Sequence, residues 1–303
     1  TTIIVPSTSS SPILGATTSA ASITSSSAIL GGNVSDEGST EVSVRGLVYG
    51  TSTGSSTFSV TLGSGAGTFT STLTGLTQGA TYYVRSFATN VQGTSYGAET
   101  SFTTQTTATI SATATPTSLT TTSAIGGGTI SSTGGATILT SGLVWDVNSN
   151  PIIALSTKTT DGALTGTFTS SITGLTEGTT YHVRAYATNS VGTSYGSQVS
   201  FTTLAAPTLT TTAISSITGT SATSGGNITS DGGATVSTRG LVWGTSPGST
   251  TFSSTSGSGT GAYSITGTQV IDGGSTISTS SVNSFSYTAA GGETTVTFVA
   301  AIG

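Results

Sequence analysis

The chain has 303 residues and a formal net charge of -5, and charged side chains make up 5 % of it, against roughly 25 % in an ordinary soluble domain. Its five basic residues, Arg45, Arg85, Lys158, Arg184 and Arg239, are scattered, so no basic patch exists to neutralise a run of phosphates, and nucleic acid is not expected as a partner. The absence of cysteine excludes disulfides, thiolate metal sites and cysteine nucleophiles together, and no apolar run approaches the roughly 18 residues of a membrane helix.

Thr, Val and Ile suit half-buried strands, and the 43 glycines suit many turns. Disorder goes with high net charge and few β-branched residues, and this chain has neither. No stretch holds a helical period, so the chain is read as all-β. It contains no Met, so Thr1 reads as a processed N-terminus from which a targeting segment has been removed.

Residues 1–11 form an extension with no counterpart before the later repeats. Ile3, Ile4 and Val5 read as a short strand, and Pro6 with the serines after it as a tether. The first repeat covers residues 12–105. It holds strands over 28–34 and 42–50, a loop with Asp36-Glu37-Gly38, and a strand marked by Phe69 and Leu73. Then comes Gly75-Leu76-Thr77-Gln78-Gly79-Ala80-Thr81-Tyr82-Tyr83-Val84-Arg85-Ser86-Phe87-Ala88-Thr89-Asn90, a turn feeding a strand that alternates in period two. Tyr82, Val84, Ser86 and Ala88 share one face; Tyr83, Arg85 and Phe87 share the other. A last strand over 94–104 carries Tyr96 and Phe102.

The second repeat, 106–204, returns the same blocks: 124–130, 141–146, the turn and strand Gly174-Leu175-Thr176-Glu177-Gly178 to Asn189, and a last strand over 193–203. The third, 205–303, keeps the first half as Ser224-Gly225-Gly226-Asn227-Ile228 and Arg239-Gly240-Leu241-Val242-Trp243-Gly244. Leu47, Leu143 and Leu241 recur about 100 residues apart, the size of one immunoglobulin-like sandwich. The aromatic residues two places on, Tyr49, Trp145 and Trp243, are expected in mid-sheet cores. The joins at Gln105-Thr106 and Leu204-Ala205-Ala206-Pro207 are short, which implies a semi-rigid rod rather than beads on a flexible string.

The Leu-x-x-Gly-x-x-Tyr spacing before a strand, with Ala-x-Asn and a later Gly (Gly93, Gly192), resembles the E–F corner, strand F and F–G loop of fibronectin type III domains. The resemblance implies three tandem immunoglobulin/fibronectin-III-like β-sandwiches. It makes Tyr82 and Tyr181 tyrosine corners, whose hydroxyls bond backbone near the turn. The repeats look like those of surface proteins of Bacteroidetes-type bacteria.

The second half of the third repeat departs from the pattern, having neither Leu-x-x-Gly-x-x-Tyr nor Ala-x-Asn. Setting Gly291 against Gly79 places Val296 on Val84 and Ala300 on Ala88. On that alignment the chain ends with strand F and lacks strand G. Two readings stay open. The third sandwich closes with its own rearranged strands, or a neighbouring molecule supplies the strand by β-addition. The donor would then be Ile3, Ile4 and Val5, and the acceptor the segment with Val296, Phe298, Ala300 and Ile302. Its logic resembles donor-strand complementation in pilins.

Catalytic chemistry is not indicated. His182, the only histidine, stands where the first repeat has Tyr83 and reads as an outward strand residue. Asp36, Glu37 and Glu41 form the densest acidic cluster; the aligned loops keep at most one acid, so it reads as a solvated loop rather than a Ca²⁺ site. Gly31-Gly32 and Gly126-Gly127-Gly128 precede no helix and are not phosphate loops. Neither a metal nor a cofactor is expected. Asn33-Val34-Ser35 and Asn227-Ile228-Thr229 fit the N-glycosylation pattern, which makes glycans a candidate partner. Tyr83, Arg85 and Phe87, with His182, Arg184 and Tyr186, form outward stripes that serve either inter-strand packing or contact with a neighbour. The expectation is an extracellular or cell-surface structural protein: a filament subunit assembled head-to-tail from copies of itself by strand donation. The alternative is an adhesin stalk or a spacer of a secreted carbohydrate-active enzyme.

Overall fold

A computed structural model describes residues 9–218, 221–244, 252–268, 276–280, 284–289 and 292–300, with backbone alone at 244, 252, 267–268 and from 276 onward. The candidate donor residues Ile3, Ile4 and Val5, and Ile302, lie outside the described residues.

The first repeat holds β1 (Ile13–Leu14), β2 (Ala28–Asp36), β3 (Val44–Gly50), β4 (Phe58–Thr61), β5 (Gly67–Leu73), β6 (Thr81–Asn90), β7 (Gly93–Tyr96) and β8 (Thr100–Thr103). One sheet runs β1-β2-β5; the other runs β4-β3-β6-β7, with β8 also on β6. Alternation makes the sandwich. Leu30, Val34, Phe69 and Leu73 from the first sheet pack with Leu47, Tyr82, Val84, Ala88 and Phe102 from the second in one buried core. A threonine hydroxyl ties the first strand segment across the core: Thr17 Oγ1 accepts from the Ser86 N–H at 2.8 Å, as Thr113 Oγ1 accepts from Ala185 N at 3.0 Å in the second repeat.

The last strand, expected to run unbroken over 94–104, is broken. β7 pairs with Phe87 to Asn90 and β8 with Thr81 to Val84, both on β6. Between them Gly97 donates to Ser86 O at 2.9 Å and Ala98 O accepts from Thr17 N at 3.4 Å. The break lets the chain reach the opposite sheet without leaving β6.

The second repeat holds β9 (Thr109–Thr117), β10 (Ser123–Ser132), β11 (Ile138–Asp146), β12 (Gly166–Thr173), β13 (Thr180–Asn189), β14 (Thr193–Tyr195) and β15 (Val199–Thr202). Its sheets run β12-β10-β9 and β11-β13-β14, with β15 on β13. In place of β4 there is an isolated bridge between Val144 and Lys158. The third repeat holds β16 (Thr208–Ser215), β17 (Ser221–Ser230), β18 (Gly240–Gly244), β19 (Phe252–Thr255), β20 (Gly261–Thr268), β21 (Thr276–Ser280), β22 (Ser284–Ala289) and β23 (Gly292–Ala300). Its sheets run β16-β17-β20 and β19-β18-β23-β22-β21. Leu241 and Trp243 pack with Ala222, Ile228, Tyr263 and Ile265. The Tyr263 hydroxyl donates to Gly240 O at 2.7 Å; burial pushes its pKa up, and Arg239 works against that rise.

By internal contacts the chain forms two compact units. One holds the described residues up to Thr115 with Gly126–Ser170 and His182–Val199; the other holds Pro116–Ile125, Ser171–Tyr181 and the described residues from Ser200 onward. The described residues are all-β, a series of tandem β-sandwiches.

The third repeat corrects the alignment of its last strand. Leu241 pairs with Ala300 on β23, where Leu47 pairs with Ser86 on β6. Phe298 therefore stands where Val84 stands, and the alignment of Val296 with Val84 is two residues out. A shift of two keeps every residue on its face, so the alternation could not reveal it. The same sheet bears on the two readings of the last edge. β22 pairs with β23, with Phe285 opposite Val296 and Ser286 opposite Thr295. In the first repeat Phe102 of β8 stands opposite Tyr82 and Thr103 opposite Thr81. Matched through the β18 and β3 registers, β22 takes the place of β8, so Val296 already has a partner on that edge from its own chain. The physical reason is proximity. A hairpin between neighbouring segments closes a short loop, while an unpaired ladder in a central strand leaves backbone groups without partners.

Strand glycines mark where sheets are tightest. A Cβ on Gly31, Gly127 or Gly225 would overlap the backbone oxygen of Phe69, Phe168 or Tyr263. Gly31→Ala is expected to lower stability by about 1–3 kcal/mol through this backbone overlap. Chemical denaturation measures it, and an unchanged midpoint would show that the strand yields freely.

Candidate functional site: the corner and the joint

In each of the first two repeats the turn before the F strand is built on left-handed glycines, with φ of 71° at Gly79 and 59° at Gly178. Leu76 and Leu175 plug the turn from inside and are buried. Their N–H groups donate to Ser26 O and Thr122 O, each at 3.0 Å. The Tyr82 hydroxyl accepts from Thr77 N at 3.0 Å, and the Tyr181 hydroxyl accepts from Thr176 N at 3.0 Å. Their rings stack on Phe102 and Phe201, with centroids 5.9 Å apart in both cases.

A second side chain bolts the corner to the end of the last strand. Thr104 Oγ1 donates to Thr77 O at 2.7 Å and accepts from Ala80 N at 3.1 Å. Thr203 Oγ1 does the same with Thr176 O at 2.6 Å and Thr179 N at 3.0 Å. Both threonines are buried. Sequence reasoning missed them; the signal was the repeated Phe-Thr-Thr of Phe102 to Thr104 and Phe201 to Thr203.

The chain passes from that bolt straight into the next sandwich. Gln105 N donates to Thr24 O of the first repeat at 2.9 Å, and Thr106 N donates to Gly134 O of the second at 2.8 Å. The next join repeats this: Leu204 N donates to Thr120 O at 3.0 Å and Ala205 N to Gly232 O at 2.8 Å. Adjacent residues thus belong to different sandwiches. Gly134 and Gly232 both have a φ of 70°, and a Cβ on either would overlap the carbonyl oxygen of Thr106 or Ala205. Only glycine lets the turn lie against the incoming chain.

The Ala-x-Asn asparagine closes the joint. Asn189 is buried. Its amide donates to Thr106 O at 2.8 Å and to Thr133 O at 2.9 Å, and its Oδ1 accepts from Val191 N at 3.0 Å. One side chain holds the entering chain, the loop after β10 and the turn after β13. Asn90 repeats the arrangement at the entry to the first sandwich, donating to Ser10 O at 3.1 Å and Glu37 O at 2.8 Å.

The remaining sequence candidates are built into loops. Glu37 accepts from Val42 N at 2.7 Å and Ala66 N at 3.0 Å, and Asp36 from Gly38 N at 2.8 Å, so these carboxylates order a loop. Among the described residues no group of three metal-ligating side chains occurs. His182 is half-buried, with its Nδ1 3.1 Å from Gln198 Nε2. Asn33 is half-buried on β2, and Asn227 is exposed on β17.

All five cations donate to loop carbonyls. Arg45 reaches Ala66 O at 2.6 Å and Arg239 reaches Thr260 O at 2.9 Å. Arg85 reaches Gly54 O at 3.2 Å and Arg184 Gly196 O at 3.1 Å, while Lys158 Nζ lies 2.7 Å from Leu155 O. Within the outward stripes, Arg85 and Arg184 lie over the rings of Tyr96 and Tyr195 at 4.5 and 4.6 Å. Phe87 and Tyr186 are buried, and the Tyr186 hydroxyl donates to Thr159 O at 2.6 Å. Much of each stripe therefore packs on its own domain.

Tyr82→Phe and Tyr181→Phe should each cost about 1 kcal/mol, because one hydrogen bond is lost. Asn189→Ala should cost more, about 1–3 kcal/mol, because it strands two carbonyls and a turn N–H at a buried position. Denaturation of single variants ranks the three, and an Asn189→Ala loss no larger than the tyrosine losses would remove the asparagine from its place at the joint.

No family model matches the chain, and no curated protein matches it. Among solved structures, the chicken CNTN1 FN1-FN3 domains align over 96 % of this chain and 98 % of theirs, with 12 % identity and a TM-score of 0.31. The corners, sheet orders and registers are those of fibronectin-III-like tandem β-domains.

Proposed function

We propose that the chain is a structural module of a secreted or cell-surface assembly, a spacer that holds its ends apart and transmits load. The observation that carries this reading is the joint, where Gln105 bonds to one sandwich and Thr106 to the next with no residue between them. A joint of that kind suits a stiff connection and serves no chemistry. No catalytic role is proposed for His182 or for the acidic loop.

Within this reading the chain is a filament subunit of the kind found on the surface of Bacteroidetes-type bacteria. Ile3, Ile4 and Val5 of one copy pair with the end of β23 in the next. Phe298 and Ala300 on β23 are the acceptor residues of that pairing. Burying Ile3 or Val5 there would contribute roughly 1.5–3 kcal/mol each. A head-to-tail contact propagates into an open filament unless a ring closes. The second reading is a stalk of an adhesin or a spacer of a secreted carbohydrate-active enzyme, which the joints favour equally. Glycans on Asn33 or Asn227 fit either.

Negative-stain micrographs of the full chain separate the two. Fibres are expected, and deletion of residues 1–5 should abolish them and leave a third repeat that the free Thr-Thr-Ile-Ile-Val peptide stabilises again. No fibres from the full chain at any concentration would decide for the spacer, and fibres from the deleted chain would end the strand-donation reading.

A further inference from the structure

We propose that β5 is a self-association edge, which pairs antiparallel with the β5 of a second copy. The interface is independent of residues 1–5 and of β23. β5 ends its sheet and is bonded to β2 alone among the described strands. Its register with β2 runs from Ala28 opposite Leu73 to Val34 opposite Gly67 without a bulge. Its seven residues, Gly67-Thr68-Phe69-Thr70-Ser71-Thr72-Leu73, contain no charge and no proline. Natural edge strands carry such guards because a bare row of N–H and C=O groups pairs with any other edge. The equivalent end strands, β12 and β20, also lack charge and proline. Among the described residues the edge is left open in three repeats.

The occupant is a second copy because the strand is complementary to itself. Pairing centred on Thr70 sets Thr70 against Thr70 of the other copy and Thr68 against Thr72. All three threonines are exposed on one face. The chain already uses that pairing inside its own sheets. The hydroxyls of Thr81 and Thr103 are 2.8 Å apart, those of Thr89 and Thr94 2.7 Å, and those of Thr223 and Thr266 2.9 Å. The charge nearest the strand is Arg45, held on Ala66 O and Gly67 O at one end. In an antiparallel pair the two arginines sit at opposite ends, roughly 20 Å apart, beyond the screening length of about 8 Å at physiological salt. The contact is isologous, so it closes as a dimer and adds lateral association to any head-to-tail assembly.

Hydrogen exchange at the amides of residues 67–73 reads this edge directly in the full-length chain. Protection there should rise with protein concentration. Thr70→Lys should abolish that rise by setting two like charges face to face, and so should Thr70→Glu. Mixing the two variants should restore it, because the two-fold sets position 70 against itself. The side chain is exposed, so thermal melts should match the parent; Thr72→Lys serves as a second variant if they do not. Concentration-independent exchange in the parent would overturn the proposal. So would a rise that survives Thr70→Lys, a mixture that restores nothing, or protection that appears only when the Thr-Thr-Ile-Ile-Val peptide is added.

Discussion

Gln105 and Thr106 are neighbours in the chain and bonded to different sandwiches, and the rest of the architecture serves that constraint. For the exit residue to be held, the last strand must end at a fixed height, which the Thr104 hydroxyl sets by gripping the corner at Thr77 O and Ala80 N. For the corner to be fixed, the Tyr82 ring must stack on Phe102 and its hydroxyl must meet Thr77 N. For the entry residue to be held, the turn at Gly134 must be left-handed and free of a side chain, and Asn189 must reach Thr106 O. Each of these is a short-range polar bond in a buried place, where a missing partner costs more than the bond itself contributes.

The composition follows from the same need. With charges at 5 % of the chain, loops cannot be ordered by ion-pair networks. Hydroxyls and amides do the work instead, bonding backbone and one another across strands. The few cations are placed where one guanidinium meets several carbonyls: Arg45 donates to Gly65 O, Ala66 O and Gly67 O while lying 5.3 Å over Phe69. Arg239 repeats this over Tyr263. In the second repeat Ser141 takes the position, donating to Gly162 O at 2.9 Å. A surface made this way repels its neighbours little.

The alternation of Tyr82, Val84, Ser86 and Ala88 made the F strand and its inward face legible, because a period of two reports burial directly. The recurrence of Leu47, Leu143 and Leu241 made the repeat legible for the same reason; all three are fully buried. The roles of Asn189 and Thr104 were not legible. An asparagine in a turn looks the same whether it faces water or closes three backbone segments, and only tertiary placement decides. The break between β7 and β8 was hidden because Tyr96 and Phe102 are an even number of residues apart, which an unbroken strand would set on one face; the break inverts the phase and leaves Tyr96 exposed and Phe102 buried. The pairing of β22 with β23 was hidden for a different reason. Strand order is a property of the sheet, and Ser284 to Tyr287 carries an alternation that fits any edge in reach.

The joint at residues 105–106 is stiff because both residues are held. The most direct test is ¹⁵N relaxation of the backbone amides of Gln105 and Thr106, beside those of Leu47 and Leu143 in the two cores. Order parameters at the joint are expected to equal those of the cores, near the rigid value of about 0.85. Order parameters below about 0.6 at Gln105 and Thr106, the range of a flexible linker, would contradict it.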